Sequence, residues 1–162
     1  DRLGQETGRL YTATCSADLG DARCGVDLDD PDFRGEGTVT VLGGISIFTV
    51  SGLDAFDDGW FAAGKLTFTG GANAGEAMEV KRHHSDGESV SLALWQAFAE
   101  PIALGDTFVV TAGCDKRFDT CRARFDNAVN FRGFPHIPGN DVILLYARAG
   151  EARHDGNSLK KG

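Results

Sequence analysis

The chain has 162 residues, of which 41% are hydrophobic, and 24 acidic against 16 basic side chains leave a formal charge of −8. That length fits one domain, or one domain with a small annex, and enough apolar residue to bury a core without obligatory staples. An acidic chain gains nothing from counterion release on a nucleic-acid backbone, so nonspecific nucleic-acid binding is excluded as its main task. The charge suits solubility, and equally a channel wall that must not hold DNA. The opening DRLGQETGRLYTATC has no apolar export-signal core, and no run approaches the roughly 20 apolar residues of a membrane helix. A start without Met reads as a processed or excised piece.

Residues 1–35 read as an irregular segment, because ADLGDARCGVDLDDPDFRGEG concentrates Gly, Pro and Asp. Residues 36–112 read as an antiparallel β domain. Stretches 37–41 and 45–50 alternate around Gly43-Gly44 as a hairpin. A long strand is expected over 60–69, followed by the turn GGANAG and a returning strand over 76–82. Asp86-Gly87 reads as a two-residue turn into a strand over 88–95, and 107–112 is the last clear strand. After Gly113 the period changes. Phe118, Cys121 and Phe125 share one face of a helix predicted over 116–127, with Asp115 as N-cap. Stretch 141–147 is apolar and fits either a short helix or a terminal strand. Residues 113–150 thus form a cysteine-containing helix and terminal segment of the same domain, and 151–162 a flexible polar tail. The fold class is mainly β, a barrel or sandwich of antiparallel hairpins plus one short C-terminal helix.

Eight residues separate Cys15 from Cys24, and six separate Cys114 from Cys121. Two disulfides are one reading, but Cys114 precedes the helix that contains Cys121, and direct pairing there distorts the chain. A structural zinc ion takes four thiolates, although paired zinc cysteines are usually only two to four residues apart. A 4Fe–4S cluster spreads its thiolates over four iron corners and tolerates wider spacing. Gly25 and Gly113 would let backbone approach its sulfides, and Lys116, Arg117, Arg122 and Arg124 would offset its negative charge. Free buried thiols and a solvated basic helix face explain the same residues. On the residues alone these readings stay open.

His83-His84 precede the Ser85-Asp86-Gly87 turn and read as exposed turn histidines, with a second metal site as the alternative. His136, between two prolines, is a candidate hydrogen-bond donor to the cysteine region. DLDDPDFRGEG fails the calcium-loop frame at Pro31 and Asp32 and reads as a solvated acidic loop. Trp60, Phe61, Phe68, Trp95, Phe98 and Phe108 read as core or subunit contacts. NFRGFPHIPG is either a docking loop or a core plug. No G-x-S-x-G, Walker loop or H-E-x-x-H occurs, and the neighbouring Asp57 and Asp58 are too common a pair to count, so no catalytic residue and no enzyme are predicted.

Three stretches carry a family resemblance: CSADLGDARCGVDL, GWFAAGKLTFTGGANAGEAMEVKRH and PIALGDTFVVTAGCDKRFDTCRARFDNAVNFRGFPHIPGND. Over residues 9–148 the chain resembles the C-terminal domain of the tail baseplate hub proteins of gene transfer agents and related phages. Similar domains occur in the tail-tip protein of lambda-like phages, where four cysteines bind a 4Fe–4S cluster. The resemblance implies such a cluster, with zinc as the alternative, on Cys15, Cys24, Cys114 and Cys121, acting as a structural staple of the domain's termini. It implies a virion protein assembled in the bacterial cytoplasm, forming a homo-oligomer, a trimer, between the distal tail ring and the central tip or fibre. DNA would pass through that assembly without sequence-specific binding, and the hub's N-terminal tube-like domains would lie outside this chain. Alternatives at a tail tip are a cell-wall thiol hydrolase and a receptor- or glycan-binding module.

Overall fold

The computed structural model describes residues 11–137. Its elements are β1 (Arg34–Leu42), β2 (Ile47–Ser51), β3 (Lys65–Phe68), β4 (Ala77–Ser85), β5 (Val90–Leu94), β6 (Thr107–Thr111), α1 (Phe118–Phe125) and a short 3-10 helix at Ala128–Asn130. The strands close into a six-stranded barrel in the order β1-β2-β5-β4-β3-β6, with every pairing antiparallel. The period-2 alternation decides which side chains face in. Phe48 and Val50, Leu66 and Phe68, Val90, Leu92 and Leu94, and Phe108 and Val110 are all buried. Phe48, Phe68 and Phe108 pack with ring centroids 6.2–6.4 Å apart at the centre. A Cβ on Gly37 would come within 2.6 Å of the Phe108 ring and 2.7 Å of the Ser51 carbonyl, so β1 can cross this core only as glycine. Register breaks at Val39/Val41 and Val80/Arg82 bend two strands, which helps so few strands close.

Four sequence expectations need correction. The expected strand over 60–69 keeps only Lys65–Phe68. Residues Trp60–Gly64 instead form successive tight turns, with Trp60 N–H on Asp57 O and Gly64 N–H on Phe61 O. A Cβ on Gly64 would collide with the Thr111 carbonyl, and Ala63 is left-handed at φ 61°, so this apolar run cannot continue as a strand. The Asp86-Gly87 connection has four residues, because Ser85 pairs with Val90. The Asp86 carboxylate accepts the Ser89 and Glu88 N–H groups at 2.7 and 3.0 Å, which stabilises the longer loop. The helix is shorter than 116–127. Asp126 is left-handed (φ 44°) and ends it, and Arg117 occupies the N-cap. Asp115 acts two residues further out, accepting Arg117 N–H at 3.0 Å and the Thr120 hydroxyl at 2.8 Å.

His83 is the fourth. It is buried inside the barrel end, edge-on to Phe61 at 5.1 Å, with no hydrogen-bond partner for either ring nitrogen. The break between Val80 and Arg82 is the cause: an inserted residue shifts the alternation, so Val80 and His83 both point inward. His84 is half-buried and bonds Asp58 at 3.0 Å. The Asp58 carboxyl is held below its ordinary value by the Ser85 N–H first and by His84 second. The aromatic expectations divide. Phe61, Phe68 and Phe108 are core, Trp60 and Phe98 pack at its margin, and Trp95 is exposed. Stretches 141–147 and 151–162 lie outside the described residues.

The barrel's two ends differ. At one, the starts of β1 and β3 meet the finish of β6 and carry the cysteine-containing segments. At the other stand Val41, Leu42, Ile45, Ile47, Trp95 and Leu104, all exposed. This second end is built largely from residues 37–53 and 89–99, which contain no charged side chain.

Candidate metal centre

Residues 11–33 have no strand or helix, yet they are pinned to the chain's other extremity. Cys15 N–H donates to Lys116 O at 2.8 Å, Ser16 N–H to Arg132 O at 3.3 Å, and Phe134 N–H to Thr12 O at 2.9 Å. The turn holding Cys24 is organised by Asp21, whose carboxylate accepts N–H groups from Cys24 (2.7 Å), Arg23 (2.8 Å) and Asp18 (3.1 Å). Those bonds, Cys24's first, lower the Asp21 carboxyl to about 2. Gly25 then turns left-handed at φ 71°. The Asp and Gly density that makes this stretch irregular therefore builds one specific turn.

The second pair arrives from the barrel. Gly113 lies flat on the Ala62 carbonyl, which a Cβ would strike, and its N–H donates to Trp60 O at 3.2 Å. This glycine thus seats Cys114 against the barrel and does not face the space between the sulfurs. Cys121 and Phe125 are the buried positions of α1. Arg124, on the same helix, lies 4.8 Å over the Trp60 ring and donates to the carbonyls of Trp60 and Gly113 at 3.1 and 3.2 Å. A satellite core of Ala17, Val26, Ala112 and Phe125, with Phe33 and Trp60 against it, surrounds the arrangement. Its apolar content explains why residues without regular structure stay packed.

Cys15, Cys24, Cys114 and Cys121 line one small cavity between these segments. All four are free thiols, so neither close pair is bridged. The space leaves about 10 Å³ for the centre of a water-sized sphere, room for about one water. Among the described residues, no three His, Cys, Asp or Glu side chains are gathered as they would be around a single metal ion. N–H groups are directed at three of the sulfurs. Lys116 and Arg132 donate backbone N–H to Cys114 and Cys15, each at 3.4 Å, and the Asn127 amide reaches Cys24 at 3.6 Å. The Cys121 thiol donates to Asn127 O at 3.3 Å. Burial pushes the Cys114 thiol up, against the Lys116 N–H and ammonium. Burial also pushes up Cys121, followed by repulsion from Cys114, Cys15 and Cys24. Cys114 and Cys121 thus resist ionising unless a cation compensates them.

The basic residues around the second pair do less for the sulfurs than their number suggests. Lys116 Nζ donates to Ala17 O at 2.5 Å and pairs with Asp18 at 3.2 Å, and Arg124 is committed to Trp60. Arg117 lines the cavity, while Arg122 is exposed. His136 is exposed too, 6.3 Å from the Phe118 ring, and lines a separate open groove with Arg117 and Asp119. The aromatic loop lies on the surface, with Phe134 against Tyr11 at 4.6 Å. Asn127 escaped the sequence reading. Its only signal there is its place at the end of the predicted helix, where a polar side chain is ordinary.

Comparison with known proteins places this β-barrel, with its cysteine-lined cavity between two flanking segments, among phage proteins. Residues 59–141, over half of the chain, match the family described as phage conserved hypothetical protein BR0599, and the chain belongs to that family. Residues 1–27 match the baseplate hub protein N-terminal attachment domain. Cys15 and Cys24 thus fall in one matched segment, Cys114 and Cys121 in the other. A solved chain described as "Virion of native gene transfer agent (GTA) particle" is similar at 40% identity and a TM-score of 0.75. The match covers 98% of this chain and 54% of that one, so this chain spans about half the length of its neighbour. No curated protein sequence matches. Together these matches support a phage-like tail baseplate protein of a virion.

Proposed function

We propose that this domain is part of the baseplate hub and that Cys15, Cys24, Cys114 and Cys121 hold a 4Fe–4S cluster that staples it. The observation that carries the reading is the convergence of two distant cysteine pairs on one cavity, with N–H donors aimed at three sulfurs. The donor set fits. Four soft thiols in a wall of apolar, amide and basic side chains, with no carboxylate among them, suit iron, and N–H···S bonds are the usual support of a cluster's thiolates. The cavity is smaller than such a cluster, so the thiols must spread to take it. When bound, the cluster supplies four metal–thiolate bonds that tie residues 11–33 to the segment after β6. Lys116, Arg124 and Trp60 hold the two segments in place around it. A single zinc ion is the alternative occupant. Burial that raises the Cys114 and Cys121 thiols is the opposite of what activates a cysteine nucleophile, so neither is placed as one.

The test is protein purified without oxygen, assayed for iron, sulfide and zinc, with its visible spectrum. Cys114→Ser and Cys121→Ser should each bleach a broad visible band and render residues 11–33 and 113–137 protease-sensitive together. A colourless, zinc-loaded wild type would replace the cluster with zinc. Unchanged colour and protease resistance in both variants would remove the metal altogether.

The apolar end of the barrel suits the assembly reading. Copies carrying −8 each repel least through a face with few charges, and this one exposes six large apolar side chains, with the Lys81 ammonium 5.1 Å over the Trp95 ring. The hub would be a ring of such copies, a trimer, between the distal tail ring and the central tip, with DNA passing through without sequence-specific contacts. Ile45→Lys should shift sedimentation toward the single chain. Sedimentation identical to wild type would place the contact elsewhere.

A further inference from the structure

Resting on the cluster reading, we propose that Asn127 is its positioning residue: it clamps Cys24 to Cys121 and tunes the centre through a side-chain N–H···S bond. Asn127 touches one cysteine from each pair. Its Nδ2 donates to Cys24 O at 2.6 Å and approaches Cys24 Sγ at 3.6 Å. Its backbone N–H donates to Cys121 O at 3.1 Å, and its carbonyl accepts the Cys121 thiol at 3.3 Å. Among the described residues no other side-chain N–H is recorded on a cysteine sulfur, since the remaining donors are backbone groups.

The orientation of the amide follows from its neighbours. Asn130 Nδ2 donates to Asn127 Oδ1 at 2.7 Å. Turning the amide over would set two NH₂ groups together and place Oδ1 against the Cys24 carbonyl, with both contacts repulsive. The Asn130 amide in turn lies 3.5 Å from where a Cβ on Gly25 would stand, so the residue after Cys24 completes the clamp. Asp126, left-handed at φ 44°, turns the chain out of α1 so that Asn127 faces back toward Cys121. A donor at a cluster thiolate stabilises the more negative, reduced state and raises the reduction potential.

The experiment compares the wild-type chain with Asn127→Ala, Asn127→Asp and Asn130→Ala, all purified without oxygen. Iron and sulfide content, iron release to a chelator and the midpoint potential are measured. Asn127→Ala should release iron about tenfold faster, as expected for the loss of one hydrogen bond to a charged group, and lower the potential. Asn127→Asp keeps the shape but presents an acceptor, and should lower the potential further. Asn130→Ala touches neither cysteine and should shift the potential the same way by less, giving a readout should the Asn127 variants fail to fold. Wild-type release and potential in the Asn127 variants would overturn this role while leaving the cluster intact. A wild-type chain without iron and sulfide would overturn both.

Discussion

Removing the Arg124 side chain tests how α1, the helix that carries Cys121, is fixed to the barrel, and it does so without reference to any bound metal. Arg124 makes two charge-assisted hydrogen bonds, to the Trp60 and Gly113 carbonyls, and stacks over the Trp60 ring. Bonds of this kind contribute about 1.5 kcal/mol each at the low end of their range, and the stacked cation adds about 0.5–1 kcal/mol. The group is half-buried, and Trp60 O keeps the Gly113 N–H as a second partner, so the sum is discounted to about 2–3 kcal/mol for Arg124→Ala. With a urea dependence of about 2 kcal/mol per molar, the unfolding midpoint followed by tryptophan fluorescence should fall by about 1 M. Arg124→Lys keeps a cation near the ring but not the fork, and should lose about half as much. Arg122→Ala, on the exposed side of the same helix, is the control and should leave the midpoint unchanged. A midpoint for Arg124→Ala indistinguishable from that control would refute the clamp.

Two further predictions concern the barrel. Burial holds His83 below its ordinary value of 6.5, with Asp58 opposing and His84 and Arg124 adding to the shift. The unfolded chain therefore takes up more protons as pH falls through 6.5, and stability present above that pH declines until the folded pKa is reached. His83→Leu should lose less thermal stability than wild type between about pH 7 and about pH 5, and parallel losses would remove His83 as the cause. Gly113→Ala would drive a Cβ into the Ala62 carbonyl and should cost about 3 kcal/mol in urea unfolding, whereas a near-neutral result would mean that the Gly113 segment yields easily.

The parts of the fold legible in the sequence are those governed by alternation. Leu66 and Phe68, and likewise Phe108 and Val110, point inward as their spacing dictates. Failures occur where one inserted residue or one forbidden Cβ overrides the pattern. His83 is drawn inside by the shift between Val80 and Arg82, which no single residue announces. Trp60–Ala63 has the composition of a strand, but the tight approach at Gly64 forces turns. The cysteine spacing alone left several chemistries open. That Cys15 and Cys24 meet Cys114 and Cys121 depends on chain-end contacts such as Cys15 N–H to Lys116 O, which are long-range and carry no local signature. Asn127 was invisible for the same reason, since its partner Cys24 lies 103 positions away.

The ring of strand pairings has a consequence for assembly. Because β6 returns to β1, each of the six described strands has a strand neighbour on both sides, and none of them is left as an outermost strand on which another chain could add its own. Recognition by this barrel must run through side chains and loops, so specificity can change by surface substitution without disturbing a backbone ladder. The same closure guards the barrel against cross-β stacking with other copies of itself.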